Sequence, residues 1–306
     1  MMGKRIELGR VGLIGVSLVV LLSGEVRANF FHTAAAVDEA VVDATAVPQV
    51  GLLGVTFDMG TPNDTSDDLR AGSSFVLIGP NHGLITSHQE KFPYPGNPVK
   101  MEVFMGEDPV NGTPTHYREV ETWTRHPQAT GRALEGVDLS VISFLDPITD
   151  IPPAVLYDGT VDEGMHLFAA GYGRPGSVET GSLVSDFKRR GGDNVIWDIA
   201  NDGFIRSMFD PIGSGGMETE WLATNGDSGG GWFINDGGEL KLFAVTSGIV
   251  GGESYGSWSV GMPIGPHIEW IEDTMVTVPE PSAVAHWMLM MMMPVFPWRR
   301  RRRFPV

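Results

Sequence analysis

The segment Asn225-Gly226-Asp227-Ser228-Gly229-Gly230 places one serine on a turn with glycines on both sides. Glycine lets a backbone bend tightly and turn N–H groups outward, so this segment presents a hydroxyl beside potential anion-binding donors. A serine hydroxyl is a poor nucleophile until a base takes its proton. The chemistry open to the turn is therefore nucleophilic acyl transfer, given a histidine and a carboxylate that orients it. Candidate bases upstream are His82, His88 and His126, and candidate carboxylates are Asp138, Asp146 and Asp150.

Elements that could position such a group are short. Apolar runs of four to eight residues recur at 50–57, 74–78, 84–86, 100–104, 139–144, 166–170, 183–187 and 240–245. They are rich in Val, Ile, Phe and Thr, and Gly, Pro, Asn and Asp separate them. Many short strands with turn signals between them predict an all-β sandwich or barrel. The only helix of useful length is expected over 267–275. A Pro-rich joint at 146–153 divides the body into halves, 50–150 and 151–276, each the size of one small closed barrel. Residues 29–49, rich in Ala, Val and Asp, read as a pro-segment or linker.

The chain has 306 residues, of which 42% are hydrophobic, enough for a substantial core. It has no cysteine, which excludes disulfides, thiolate metal sites and cysteine nucleophiles. The net charge of −17 conceals an asymmetry. Residues 1–28 hold four basic and two acidic residues, and Arg299–Arg303 add five basic ones, leaving 12 basic against 36 acidic residues in the body. Such a surface repels phosphate backbones, so no nucleic-acid partner is expected.

Both ends read as addresses. Lys4, Arg5 and Arg10 lead into a 12-residue apolar run, Val11–Leu22, and Val26 and Ala28 are small residues at a peptidase site. Residues 1–28 thus read as a signal peptide removed by signal peptidase. At the other end, 277–306, Pro279-Glu280-Pro281 precedes a 16-residue apolar run and five arginines. This order resembles the PEP-CTERM sorting signal of Gram-negative bacteria. The resemblance implies processing by an exosortase, a transient or retained membrane tail, and delivery to the cell surface, the extracellular matrix or the medium. The run departs from a smooth tail at His286, Pro294 and Pro297.

Three segments in order make the central motif specific. Gly-Asp-Ser-Gly-Gly at 226–230 resembles the nucleophile turn of the trypsin/chymotrypsin-like serine proteases. Residues 72–89, with Thr86-Ser87-His88 near their end, resemble that family's strand-turn-strand that ends in Thr-Ala-Ala-His, with one alanine replaced by serine and the other position lost or shifted. Val137-Asp138-Leu139 resembles its aspartate segment. The 50 residues from His88 to Asp138 and 90 from Asp138 to Ser228 fit one catalytic domain. Arg125-His126-Pro127, Ala170-Gly171-Tyr172-Gly173-Arg174 and a terminal helix with Trp270 resemble further landmarks, so the likeness covers about residues 50–275.

The resemblance implies two antiparallel six-stranded β-barrels, chymotrypsin-like, with a short C-terminal helix. It also implies a secreted serine endopeptidase acting on a protein or peptide substrate, without cofactor or metal. By triad chemistry His88 is the base, Asp138 its orienting carboxylate and Ser228 the nucleophile, with an oxyanion hole from the N–H groups of Gly226 and Ser228. Leu222 would form the base of the specificity pocket, Ser247 and Gly248 the substrate-pairing edge, and Gly256 a pocket wall. No acid stands at Leu222, so a small or medium apolar residue is expected before the cut. In the family the aspartate at Asp227 pairs with a newly freed N-terminal amine. The usual activation sequence is absent here, which leaves either maturation near residue 50 or another partner for Asp227. The alternative reading of the whole chain is an inactive protease-fold binding or matrix protein. The acidic stretch 58–68 reads as a solvated loop in preference to a calcium site, and Lys188-Arg189-Arg190 as an exposed basic loop open to self-cleavage.

Overall fold

The computed structural model describes residues 29–60, 65–66, 68–91 and 97–276. The signal-peptide and sorting-tail segments lie outside the described residues, as do 61–64 and 67 of the acidic stretch.

The described residues open with a short strand, β1 (Asn29–Phe31), and a helix, α1 (Ala34–Asp43). Thr33 caps that helix by accepting the N–H of Ala36. Residues 29–49 are therefore no loose linker. Phe31, Ala36, Val37 and Ala40 are buried in the core of the second half. The helix escapes a periodicity reading because its buried face is made of small residues.

The first sheet comprises β2 (Val50–Asp58), β3 (Leu69–Gly79), β4 (His82–Ile85), β5 (Asn97–Met105), β6 (His116–Glu119), β7 (Thr122–Arg125) and β8 (Ser140–Ser143). Its strand order is β6-β5-β2-β3-β4-β8-β7, antiparallel throughout. β2 shows why an unbroken apolar run forms here. Successive side chains point to opposite faces, and both faces are buried. Leu53, Val55 and Phe57 fill the sheet's own interior, while Val50 and Leu52 face the other half. The sheet curls shut through Val120 and Glu121, whose N–H groups donate to Met101 and Ser143 on opposite flanks.

The second half adds β9 (His166–Gly171), β10 (Pro175–Ser177), β11 (Gly181–Ser182), β12 (Arg190–Val195), β13 (Asp198–Ile199), β14 (Ile205–Met208), β15 (Gly231–Asp236), β16 (Glu239–Val250) and β17 (Trp258–Pro263). Seven of these form a sheet ordered β12-β9-β15-β16-β17-β14-β13. β10 and β11 join β1 in a small separate sheet, with β1 parallel to β10. The Asn194 side chain reaches from β12 to the Met208 carbonyl on β14, drawing the ends of the curl together.

Among the described residues the main sheet of each half thus has seven strands, not the expected six. In the first, a bend at Val120–Glu121 splits one run into β6 and β7. In the second, the two-residue β13 adds an edge. The run at 183–187 is no strand; β11 ends at Ser182 and Phe187 takes a positive φ. A third core cluster lies between the halves, joining Val50, Leu52, Leu84 and Leu139 to Phe233, Val245, Val260 and Met262. The C-terminal helix, α2 (Ile268–Val276), packs Ile271 into it. No helix among the described residues is long and apolar enough to cross a membrane.

The basic run 188–190 is not the exposed loop its composition suggests. Arg189 and Arg190 are buried, not exposed. Arg189 donates to the carbonyls of Pro48 and Val50. Arg190 donates to the Val37 carbonyl and forms a two-pronged pair with Asp186 at 2.8 Å on each arm.

Candidate active site

β4 delivers the chain into a single 3-10 turn, Ser87–Glu90, that carries His88. Thr86 and Gln89 cap it reciprocally, with the Gln89 side-chain oxygen accepting both the N–H and the hydroxyl of Thr86. Glu90 ties the turn to its neighbours through Arg125 and Ser140. Asp138 sits two residues before β8 and is fully buried.

These two side chains meet. His88 Nδ1 lies 2.7 Å from Asp138 Oδ2, and His88 Nε2 lies 2.8 Å from Ser228 Oγ. Asp138 accepts three further hydrogen bonds: from Ser247 Oγ at 2.6 Å, Ser87 Oγ at 2.9 Å and the His88 N–H at 3.0 Å. Burial alone would raise its pKa, but these donors and the charge of a protonated His88 outweigh burial and hold it below the usual carboxylate range. An ionised Asp138 accepts only, so the proton on His88 belongs on Nδ1, and Nε2 is left to accept from Ser228.

Ser228 rides on a turn that glycine makes possible. Gly226 has φ +103° and Gly229 φ +79°. A Cβ on Gly229 would stand 2.3 Å from the Ser74 carbonyl, and one on Gly230 2.6 Å from the Ala170 carbonyl. The glycines after the serine thus let the turn press against both halves. Three contacts from the first half clamp it. The Ser74 N–H donates to the Ser228 carbonyl at 2.9 Å, Gln89 Nε2 to the same carbonyl at 2.9 Å, and Ser74 Oγ to the Gly226 carbonyl at 2.8 Å. Among the described residues, the N–H groups of Gly226 and Ser228 donate to no protein acceptor. Both expected oxyanion donors are therefore available to a ligand.

The expected substrate-binding residues divide. Ser247 is the unpaired residue of a β-bulge in β16, between Thr246 opposite Gly261 and Gly248 opposite Val260. The bulge turns its hydroxyl to Asp138. Its role is thus closer to the carboxylate than to a peptide. Gly248 follows on a stretch with an open edge, because β15 pairs with β16 only as far as Val245, and beyond it β16 pairs with β17 alone. The Leu134 side chain, on a residue with φ +60°, reaches within 3.2 Å of where a Gly248 Cβ would be. Leu222 is no open pocket base: it is fully buried against Phe30 and Phe209. Gly256, at φ +82°, occupies an exposed turn with free space around it and donates to the Phe209 carbonyl.

Of the competing histidines, His126 is buried with its ring 4.8 Å from His267 and 4.7 Å from Trp270, and His82 is half-buried. Ser74, Ser87, Gln89 and Thr224 are site residues that sequence reasoning missed. Only the position of Ser87 and Gln89 beside His88 could have flagged them. Among the described residues no cluster of His, Asp or Glu is placed to hold a metal.

A solved structure of neuropsin, a serine protease expressed in the limbic system of mouse brain, is similar to this chain at TM-score 0.55 and 17% identity, covering 75% of this chain and 95% of that one. The fold is chymotrypsin-like. At that identity the likeness speaks to the fold alone. No family model matches the sequence, and no curated protein does.

Proposed function

We propose that the chain is a serine endopeptidase that cleaves peptide bonds through an acyl-enzyme. The observation that carries this reading is the unbroken line from Ser228 Oγ to His88 Nε2 at 2.8 Å and from His88 Nδ1 to Asp138 Oδ2 at 2.7 Å. Ser228 attacks the substrate carbonyl while His88 takes its proton. The N–H groups of Gly226 and Ser228 receive the developing oxyanion. His88 returns the proton to the leaving amine, and water repeats the cycle to release the acid. Asp138 keeps the imidazole tautomer and stabilises the imidazolium. No cofactor enters.

The peptide backbone is taken to pair with the open edge at 247–249, a form of strand addition. In this reading Ile249, on that edge, favours a small or medium apolar residue before the cut. In the same reading, the signal peptide exports the protein and the Pro-Glu-Pro tail sorts it to the cell surface through an exosortase. Intact-mass analysis of the protein recovered from a native cell envelope tests the export scheme, which predicts a start at Asn29 and a chain shortened near residue 280.

The enzymatic reading is tested by hydrolysis of a quenched-fluorescence peptide library. Ser228→Ala is expected to lower turnover by a factor on the order of 10^4 or more, with the fold retained. Wild-type activity in that variant would overturn the assignment.

A further inference from the structure

We propose that residues 29–47 are a permanent strap of the working protein, and that Thr224 and Gly173 hold Asp227 in the role that a freed N-terminal amine has in the resembling family. The inference rests on the endopeptidase reading above and concerns how that same site is kept in working shape.

Asp227 stands between the two oxyanion donors, so the direction of its carboxylate constrains both. It is fully buried, and a buried carboxylate needs donors. The chain supplies them internally. Asp227 Oδ1 accepts the Gly173 N–H at 2.9 Å; Oδ2 accepts the Thr224 N–H at 2.9 Å and the Thr224 hydroxyl at 3.0 Å. A Cβ on Gly173 would fall 2.2 Å from Asp227 Oδ2, so only glycine allows this approach. Val50, the candidate for a new terminus, is committed elsewhere. It is fully buried at the first position of β2 opposite Val76, its N–H donates to the Val47 carbonyl, and its carbonyl accepts from Arg189.

The strap braces both segments that carry these donors. Phe30 exchanges two backbone hydrogen bonds of 3.1 Å with Leu222, two residues before Thr224. β1 pairs in parallel with β10, which begins two residues after Gly173. Phe30, Phe209 and Leu222 seal the join, and Arg190 holds α1 through the Val37 carbonyl. Removing a propeptide releases activity. Removing this segment takes away the support behind Thr224 and Gly173, so the expected effect has the opposite sign.

The test is fluorophosphonate labelling of the full chain, read by intact mass and by rate against pH. The labelled species is expected to retain residues 30–47, and the rate to stay level from about pH 8 to 10, where a terminal amine of ordinary pKa, about 8, loses its proton. Thr224→Val is expected to lower kcat on a peptide about 10-fold at unchanged KM, with Thr224→Ser restoring it. Label confined to chains that begin at or beyond Val50, a rate that falls away above about pH 8, or a Thr224→Val variant with wild-type kcat would overturn the inference. No label on any species would instead overturn the endopeptidase reading, and the inference with it.

Discussion

Gln89 Nε2 donates to the Ser228 carbonyl across the cleft, at 2.9 Å, from the residue next to His88. The same amide nitrogen reaches Ser73 Oγ at 2.6 Å and the Ser74 carbonyl at 2.8 Å, while its oxygen caps the turn that holds His88. One buried side chain therefore ties the backbone beside His88 to the backbone of Ser228. In a chain without cysteine, hydrogen bonds make this connection.

Gln89→Leu keeps the bulk and removes the donors. The Ser74 and Ser228 carbonyls and the half-buried Ser73 hydroxyl then lose a contact, and the distance between His88 and Ser228 is no longer fixed from the first half. We expect kcat to fall roughly 10- to 100-fold with KM within about threefold, because positioning and not binding is lost. Steady-state kinetics on a peptide substrate checks this. A lower melting temperature with unchanged kcat would show Gln89 to be merely structural.

Asp138→Asn and Ser247→Ala probe the carboxylate. An amide at Asp138 presents a donor where His88 Nδ1 needs an acceptor, so the wrong tautomer is favoured and kcat is expected to drop by about 10^3 to 10^4. Ser247→Ala removes only the 2.6 Å hydroxyl contact to Asp138 Oδ2 and is expected to cost about 10-fold in kcat. The order of the two effects, measured on one substrate, is the prediction. A Ser247→Ala loss that appears in KM alone would instead make Ser247 a peptide-contact residue.

Much of this site was legible because its parts lie in short local motifs. Gly226, Gly229 and Gly230 permit the tight bend locally, and the order His88, Asp138, Ser228 needs only spacing. The supporting residues were not legible. Gln89 is a glutamine like any other until the turn puts it between two backbones. Helix α1 offers a face of Ala36, Val37 and Ala40, too small to register as amphipathic, and its anchor Arg190 lies about 150 residues away. Arginine is usually solvated, so a basic run reads as a loop until the carbonyls it serves are known. Leu222 misled for a related reason: its neighbour Phe30 belongs to a segment that sequence reading had set aside as a linker.

Gly229→Ala tests the steric account of the turn. It combines φ +79° with a Cβ placed 2.3 Å from the Ser74 carbonyl, and we expect it to destabilise the fold by roughly 2–4 kcal/mol. Gly237→Ala is the control, with φ +65° and nothing within 4 Å, and is expected to cost about 1 kcal/mol. Chemical denaturation of both variants measures the difference; equal losses would contradict the close-approach argument.

The His126–His267 pair gives the fold an acid-sensitive point. Burial, and then the neighbouring His126, push His267 down to about 4, and burial lowers His126 as well. Below the ordinary histidine pKa of about 6.5 the unfolded chain takes up protons that the folded chain refuses. Their contribution is therefore full above about pH 6.5 and is lost as the pH falls toward 4. We expect His267→Gln to flatten the stability profile over that window, as read by melting temperature against pH. An unchanged slope would remove the pair from the account.

The central claim is that Ser228 is an activated nucleophile. Its most direct test is covalent labelling with a fluorophosphonate, with Ser228→Ala and His88→Ala proteins beside the wild type. The account predicts one label per chain, on Ser228, absent from Ser228→Ala and slowed by several orders of magnitude in His88→Ala. A folded wild-type protein that takes no label, or one whose labelling is indifferent to His88, would contradict it.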